Sequence, residues 1–362
     1  MKMNTDTSNP SCLLYGPLDV RLEDRPMPVL DNPQDVIVQI AYTGVCGSDV
    51  HFWLHGGIRT YVSETQPLTM GHEASGVIYA VGSDVTTLVP GDRVAIEPGY
   101  PCRRCARCKL GRYNLCPKMK FAADPPYTHG TLTKYFKLPA DFCYKIPDSM
   151  SLSDAVLMEP LAVAVHAVRL ADVKLGNRVI VFGAGTVGLF CAAVAREFGA
   201  SVVVSVDVLE NRLHFARDFI GPIGRTAMPD LSLSSEENAE RLIQTQELDE
   251  GADVVIDASG AEASVQTGVF SLRMGGTYVQ AGMGKRKIEF PISEMCEREI
   301  IAKGCFRYAA GDFDLGIHLV GQGRLQLAGL VTKVFPFECA AQAWETASRG
   351  EGTKTLIEGP KC

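Results

Sequence analysis

Four cysteines, Cys102, Cys105, Cys108 and Cys116, lie within fifteen residues in the spacing C-x2-C-x2-C-x7-C. Four thiolates on a short loop can surround one tetrahedral zinc ion without leaving an open position, which is the arrangement of a structural site rather than a catalytic one. Disulfide bonds are the alternative, but cysteines separated by only two residues are hard to bridge without strain. The spacing therefore predicts a zinc-binding lobe.

A glycine-rich turn is the second motif, and it consists of Gly183, Ala184, Gly185, Thr186, Val187 and Gly188. An apolar run at residues 178–182 precedes it, and an apolar stretch with the pattern of a buried helix follows it. In such a motif the first glycine permits a tight turn, the second lets the backbone approach a pyrophosphate, and the third allows close packing of helix and strand. The helix N-terminus then faces the phosphates. The motif predicts a dinucleotide site.

The acidic residue that this motif requires is Asp207, which ends the next apolar strand 19 residues after Gly188. Its carboxylate is expected to accept hydrogen bonds from the adenosine ribose hydroxyls and to repel a 2′-phosphate. Arg212 lies five residues further on and is close enough in sequence to soften that repulsion. The pattern favours NAD over NADP as the cofactor.

Outside the zinc lobe, Cys46, His72, Glu73 and Glu159 form a second set of candidate ligands. One sulfur, one imidazole and two carboxylates suit a zinc ion that keeps a position open for water or substrate. Each residue also has a structural interpretation, as a small buried side chain, a hydrogen-bonded core histidine or a solvated carboxylate. The sequence does not show that the four converge.

Composition limits the classes of function. The chain has 362 residues, of which 46% are hydrophobic and 21% charged, enough for two globular domains. A net charge of −7 disfavours binding to a phosphate backbone. Twelve cysteines without an apolar leader predict a reducing, cytoplasmic compartment. The longest uncharged apolar run, residues 179–195, is short for a membrane span and contains three glycines, so no membrane partner is expected.

The chain changes character twice along its length. Residues 12 to about 163 combine short β-like runs with closely spaced glycines and prolines, which predicts an irregular, mostly β domain. From about residue 164, buried strands alternate with helices, which predicts a parallel sheet covered on both faces. A capping box at residues 234–237 predicts a helix that runs to about Leu248. The alternation is lost from about residue 304, so the tail is expected to rejoin the first domain.

At these residues the chain resembles the zinc-dependent medium-chain dehydrogenases over essentially its whole length. The shared motifs occur in the family's order and comprise residues 46–49 (CGSD), 71–73 (GHE), 91–94 (GDRV), the four-cysteine lobe and the glycine turn. The resemblance implies an α/β protein with a GroES-like catalytic domain at 1–163, a Rossmann domain at 164–303, and a return to the catalytic domain at 304–362.

Within the family, Glu159 in its Glu-Pro-Leu context resembles the polyol branch, because simple alcohol dehydrogenases carry a cysteine ligand there. Arg307 and Tyr308 resemble the pair that contacts substrate hydroxyls in that branch, and Phe121 begins a loop that resembles its substrate-side loop. Fungal enzymes that oxidise xylitol are similar. Phe52 stands where many relatives have tyrosine, so sorbitol and L-arabinitol stay open as alternative substrates.

The resemblance also implies roles for individual residues. Cys46, His72 and Glu73 are expected to hold a catalytic zinc, while Glu159 binds that ion or hydrogen-bonds its water and helps to move the proton. Which of the two glutamates is the persistent ligand is left open. Ser48 and His51 are candidates for a proton path.

The implied reaction is hydride transfer from a secondary hydroxyl of a polyol to NAD, with xylitol converted to its ketose, in a homotetramer with two zinc ions per chain. Two alternatives belong to other classes. One is a catalytically silent relative that serves as a structural protein. The other is a nucleic-acid binder that uses the basic residues around the zinc lobe.

Overall fold

The computed structural model describes residues 8–126 and 128–361. These divide into two compact units. The first comprises the described residues up to Glu159 together with those from Leu327 onward, and the second is Pro160–Gln326.

The described residues form the following strands, in chain order: β1 Ser8–Gly16, β2 Asp19–Pro26, β3 Asp35–Gly44, β4 Leu68–Thr69, β5 Glu73–Val81, β6 Arg93–Ile96, β7 Gly99–Tyr100, β8 Lys120–Phe121, β9 Tyr135–Pro139, β10 Cys143–Lys145, β11 Arg178–Phe182, β12 Val202–Val206, β13 Gly224–Ala227, β14 Ala252–Asp257, β15 Leu272–Gln280, β16 Ile301–Gly304, β17 Val331–Phe335 and β18 Lys354–Glu358. The α-helices are α1 Gly47–His55, α2 Ala106–Lys109, α3 Leu152–Ala155, α4 Met158–Ala171, α5 Thr186–Glu197, α6 Glu210–Ile220, α7 Ser235–Thr245, α8 Glu262–Phe270, α9 Ile292–Glu297, α10 Asp312–Gly321 and α11 Ala340–Ser348. Short 3₁₀ turns occur at Tyr113–Leu115, Ala140–Phe142 and Phe337–Cys339.

The second unit is a doubly wound parallel sheet in the strand order β13-β12-β11-β14-β15-β16. Its central strands β11 and β12 are almost completely buried, as expected for strands covered by helices on both faces. The predicted α/β class is therefore confirmed. In this topology the strand order reverses next to β11, and ligands bind beyond the carboxyl ends of the strands at such a point.

The first unit is built on a mostly antiparallel sheet in the order β10-β6-β5-β3-β18-β17, in which β17 and β18 are parallel and β9 also pairs with β3. Strand β18, near the C-terminus, pairs antiparallel with β3, and Leu356 lies opposite Gly44. On its other side, Gly44 of β3 lies opposite Glu73 of β5. Three segments that are distant in sequence therefore meet at one point of this sheet.

The boundary between the units differs from the sequence-based division. Residues 304–326 belong to the second unit, whereas the tail was expected to leave it at about 304. The reason is packing after β16. Asp312 at the start of α10 accepts hydrogen bonds from His166 and Arg169 of α4, which holds this segment in the second unit. The first boundary, between Glu159 and Pro160, lies within α4.

Helix α7 begins at the predicted capping box. Ser234 Oγ accepts a hydrogen bond from the Glu237 N–H at 3.1 Å, and the Glu237 carboxylate accepts one from the Ser234 N–H at 2.7 Å. The helix ends at Thr245, before the expected Leu248, because Glu247 adopts a left-handed conformation with φ of 51°. Among the described residues, no helix combines the length and the apolar character needed to cross a membrane.

Candidate metal centres and nucleotide site

Sheet register brings Cys46, His72 and Glu73 together. Cys46 follows the end of β3 by two residues, and His72 immediately precedes β5, which pairs with β3 at Gly44 and Glu73. The Cys46 Sγ, a ring nitrogen of His72 and a carboxylate oxygen of Glu73 lie within 4.8 Å of one another. His72 and Glu73 are 7% and 1% exposed. A sulfur, a nitrogen and an oxygen converge in a buried place, as a zinc site requires.

Asp49 orients two members of this group. Its Oδ2 accepts a hydrogen bond from the Cys46 N–H at 3.0 Å, which fixes the start of α1. Its Oδ1 lies 3.4 Å from His72 Nδ1, so Nε2 is the nitrogen available to a metal. Burial opposes protonation of His72, but Asp49 and Cys46 outweigh it, so the pKa of His72 lies well above its ordinary value. The surroundings of this ring favour a positive charge.

A buried cation lies behind the same group. The Lys354 ammonium forms an ion pair with Glu73 Oε2 and donates a hydrogen bond to the Val45 carbonyl at 3.0 Å. Burial lowers the pKa of Lys354, but the charges of Glu73, Cys46 and Glu159 outweigh that effect and raise it above the ordinary value. Lys354 is therefore charged in this site.

Glu159 lies near this group but outside its core. It is 6% exposed, and its charge acts on Lys354. Among the described residues, the three-member group of potential ligands contains Glu73 and not Glu159. The geometry thus favours Glu73 as the direct ligand. Glu159 is a second carboxylate near the group.

Four other predicted residues belong to the first unit. Phe121 is buried, and its ring centroid is 5.7 Å from that of His72. Ser48 is half-buried in the first turn of α1. His51 is exposed on the same helix, with its ring 4.6 Å from that of His55. Phe52 belongs to the hydrophobic core cluster that also contains Trp344, and its role in contacting substrate stays a prediction.

The four lobe cysteines converge as their spacing predicts. Their sulfurs lie within 4.8 Å of one another, and Cys105 and Cys108 are free thiols with sulfurs 3.4 Å apart. Backbone N–H groups of Arg104 and Cys105 lower the pKa of the Cys102 thiol to about 6. Burial and the neighbouring thiols raise that of Cys108 to about 12. Four sulfurs at this distance can surround one tetrahedral ion, so the residues fit zinc.

A buried carboxylate fastens the lobe to the sheet. Glu97, which follows β6, accepts hydrogen bonds from the hydroxyls of Tyr113 at 2.7 Å and Tyr144 at 2.8 Å. Tyr113 belongs to the lobe and Tyr144 to β10. The lobe therefore has a fixed attachment besides its cysteines.

The glycine turn of the second unit has the geometry of a dinucleotide loop. Gly183 adopts φ of +92°, and a Cβ at Gly188 would lie 1.7 Å from the Gly183 carbonyl oxygen. A Cβ at Gly185 would meet no atom within 4 Å, which leaves open space at the N-terminus of α5 for a ligand. Thr186 and Val187 form the half-buried first turn of that helix.

Asp207 lies at the end of β12 beside this turn. Its Oδ2 accepts a hydrogen bond from the Ala184 N–H at 2.7 Å, and its Oδ1 accepts one from the Leu209 N–H at 3.0 Å. Arg212 lies 3.9 Å from the same carboxylate, as its proximity in sequence suggested. The carboxylate is thus held at the edge of the glycine turn.

Arg307 and Tyr308 lie on the segment between β16 and α10. Arg307 adopts a left-handed conformation with φ of 55°, and its guanidinium stacks on the Phe306 ring at 4.8 Å. Tyr308 is buried and packs edge-on against Phe313. Asp312 holds the segment by accepting a hydrogen bond from the Ala309 N–H at 2.7 Å. The substrate contacts of this pair stay a prediction.

Sequence reasoning missed three charged residues of these sites. Asp49 was detectable, because an acidic residue three positions after the N-cap residue, here Cys46, is a helix-capping signal. Lys354 and Asp312 carry no comparable signal, since their partners are hundreds of residues away or on another helix.

Comparison with known proteins identifies the family. Residues 32–148 match the alcohol dehydrogenase GroES-like domain, and residues 186–322 match the zinc-binding dehydrogenase family. The chain belongs to the zinc-binding dehydrogenases.

Two similar relatives come from fungi. The chain is 54% identical to a probable D-xylulose reductase A of Aspergillus terreus, over 97% of this chain and 98% of the relative. It is 51% identical to D-xylulose reductase A of Aspergillus niger, over 98% of both chains. A solved oxidoreductase/dehydrogenase of unknown specificity from Escherichia coli is 33% identical, with a TM-score of 0.90 over 98% of this chain and 100% of that one. The predicted family and architecture are confirmed.

Replacing one lobe cysteine tests whether the chain holds two independent zinc ions. We expect the unaltered protein to hold two zinc ions per chain and Cys105→Ser to hold one, with a lower Tm, because closed thiolate sites contribute directly to folding. Zinc content and thermal unfolding are measured side by side. Cys296→Ser, an exposed cysteine outside both groups, is the matched control and keeps both ions. A single ion in the unaltered protein contradicts the two-site interpretation.

Asp207 is expected to set cofactor choice. Replacing Asp207 with serine and the exposed Val208 with arginine exchanges a repelling carboxylate for a cation beside the 2′ position of the ribose. kcat/KM with NADP rises and kcat/KM with NAD falls. Val208→Arg alone keeps the carboxylate, so it retains the preference for NAD. An unaltered protein that already prefers NADP refutes the assignment.

Proposed function

We propose that this protein is a zinc- and NAD-dependent polyol dehydrogenase that oxidises xylitol to D-xylulose. The observation that carries the proposal is the buried convergence of Cys46, His72 and Glu73 in a chain more than half identical to fungal D-xylulose reductases. The reaction removes a hydride from a carbinol carbon and a proton from its hydroxyl. The products are the ketose, NADH and one proton.

The zinc ligands would be Cys46, His72 and Glu73, with the lobe cysteines holding a second, structural ion. When bound in the first site, zinc supplies Lewis-acid stabilisation of negative charge on the substrate oxygen. Asp49 keeps the His72 ring turned so that one nitrogen stays available. Glu159 is a buried carboxylate beside this group and would accept the hydroxyl proton directly or through one water.

A route for that proton to solvent runs along α1. Ser48 and His51 are three residues apart on this helix, so they share one face. Ser48 is half-buried near the ligand Cys46, whereas His51 is exposed. A hydroxyl followed by an imidazole provides two exchangeable groups that lead from the buried carboxylates to water.

The nucleotide would bind along the carboxyl ends of β11 and β12. The amides of the glycine turn and the N-terminus of α5 face its pyrophosphate, and Asp207 accepts the ribose hydroxyls. Since Asp207 Oδ2 is also held by the Ala184 N–H, the carboxylate that selects NAD is fixed relative to the loop that holds the phosphates.

Substrate selection would depend on hydrogen-bonding groups. Arg307, held on a segment that Asp312 fixes, would bind distal hydroxyls together with Tyr308, while Phe121 lines the apolar side near His72. We further propose that the protein works in the cytoplasm, in keeping with its many free thiols, and that it is a homotetramer, as its resemblance to the family implies. Sorbitol and L-arabinitol are the alternative substrates.

A substrate panel tests the function. We expect kcat/KM with NAD to be highest for xylitol, lower for sorbitol and L-arabinitol, and far lower for ethanol and cyclohexanol. A site that hydrogen-bonds hydroxyls leaves buried polar groups unpaired when they are missing, so discrimination can reach about 10⁴-fold. NADH formation is measured by absorbance for each alcohol. Similar values for ethanol and xylitol would refute the polyol assignment, and no turnover with any alcohol would favour a catalytically silent relative.

A further inference from the structure

The buried ion pair between Lys354 and Glu73 is a feature that the proposed chemistry does not use. Both side chains are at most 3% exposed, and the lysine also donates to the Val45 carbonyl at 3.0 Å. Val45 directly precedes the predicted ligand Cys46. One ammonium therefore touches the carboxylate of one ligand and the backbone next to another.

A glycine in the sheet provides the space for this ion pair. Gly44 lies opposite Glu73 on one side and Leu356, two residues beyond Lys354, on the other. A Cβ at Gly44 would lie 2.2 Å from Glu73 Oε2 and 3.0 Å from Lys354 Cε. The absence of a side chain at this position gives the carboxylate and the lysine the space in which they meet.

Charge explains why a cation is needed here. The carboxylates of Glu73 and the nearby Glu159 bring two negative charges into a buried place, and Asp49 adds a third next to His72. Zinc offsets two of them. A carboxylate without a counter-charge in such surroundings is costly, and loss of one partner from a buried pair destabilises a protein strongly.

We propose that Lys354 is a positioning residue, which holds the Glu73 carboxylate in place for the metal and offsets its charge until zinc binds. The inference rests on the proposed function, because it takes Glu73 as a zinc ligand. It assigns Lys354 no contact with substrate or cofactor.

The test is Lys354→Met, which keeps the length of the side chain and removes its charge. The Tm of the metal-free protein should fall by about 10 °C and that of the zinc-loaded protein by much less, since zinc supplies a counter-charge to Glu73. In the cobalt-substituted protein, the visible absorption bands should shift, because the released carboxylate changes its position at the metal.

Lys333→Met is the matched control. Lys333 lies on the adjacent strand β17 and forms a half-exposed ion pair with Glu351 at 2.5 Å, so its loss should change neither the Tm difference between the two forms nor the cobalt spectrum. Glu73→Gln combined with Lys354→Met removes both charges. This double variant should recover most of the metal-free stability that Lys354→Met loses.

The outcomes separate the inference from the function on which it rests. Equal losses of Tm in both metal forms, with an unchanged cobalt spectrum, would mean that Lys354 serves packing alone and would overturn the inference. The inference would also be overturned if the metal-free double variant were no more stable than metal-free Lys354→Met. Cys46→Ser is the reference for the site. If it retained the zinc content and cobalt spectrum of the unaltered protein, the metal site of the proposed function would itself be wrong.

Discussion

The register at Gly44 determines the candidate catalytic centre. This residue is paired with β5 on one side and β18 on the other, so the chain segments that carry Cys46, Glu73 and Lys354 must meet. Because Gly44 has no side chain, the carboxylate and the ammonium occupy the space beside it. A shift of one residue in either pairing would turn these side chains to the opposite face of the sheet. The site is thus a consequence of strand pairing rather than of a local loop.

Negative charge is the common property of both candidate metal sites and of the nucleotide site. Four sulfurs converge in the lobe, and a thiol and two glutamates lie around His72. Such groups suit a divalent cation. In the second unit, one carboxylate at the end of β12 faces the glycine turn. There the charge discriminates between cofactors instead of binding a metal.

The parts of the protein that depend on local sequence were predictable. The cysteine spacing, the glycine turn with Asp207 and the capping box at Ser234 are all short-range patterns, and the structure forms each of them. The remainder depends on contacts between distant segments. Lys354 reaches its carboxylate across more than 280 residues of chain, and Asp312 retains residues 304–326 in the second unit through α4. No periodicity or spacing in the sequence reports such pairings, which is why the lysine was missed and the domain boundary was expected too early. The position of Glu73 opposite Gly44 likewise required the register of β5.

The most direct test of this account is anomalous diffraction at the zinc edge from crystals of the protein as purified. Two zinc peaks per chain are expected. One should lie within bonding distance of Cys46 Sγ, a ring nitrogen of His72 and a carboxylate oxygen of Glu73, at about 2.0–2.3 Å, and the other among the four lobe sulfurs. A single peak in the lobe, with Cys46 and His72 bound to no metal, would contradict the assignment of a catalytic zinc centre.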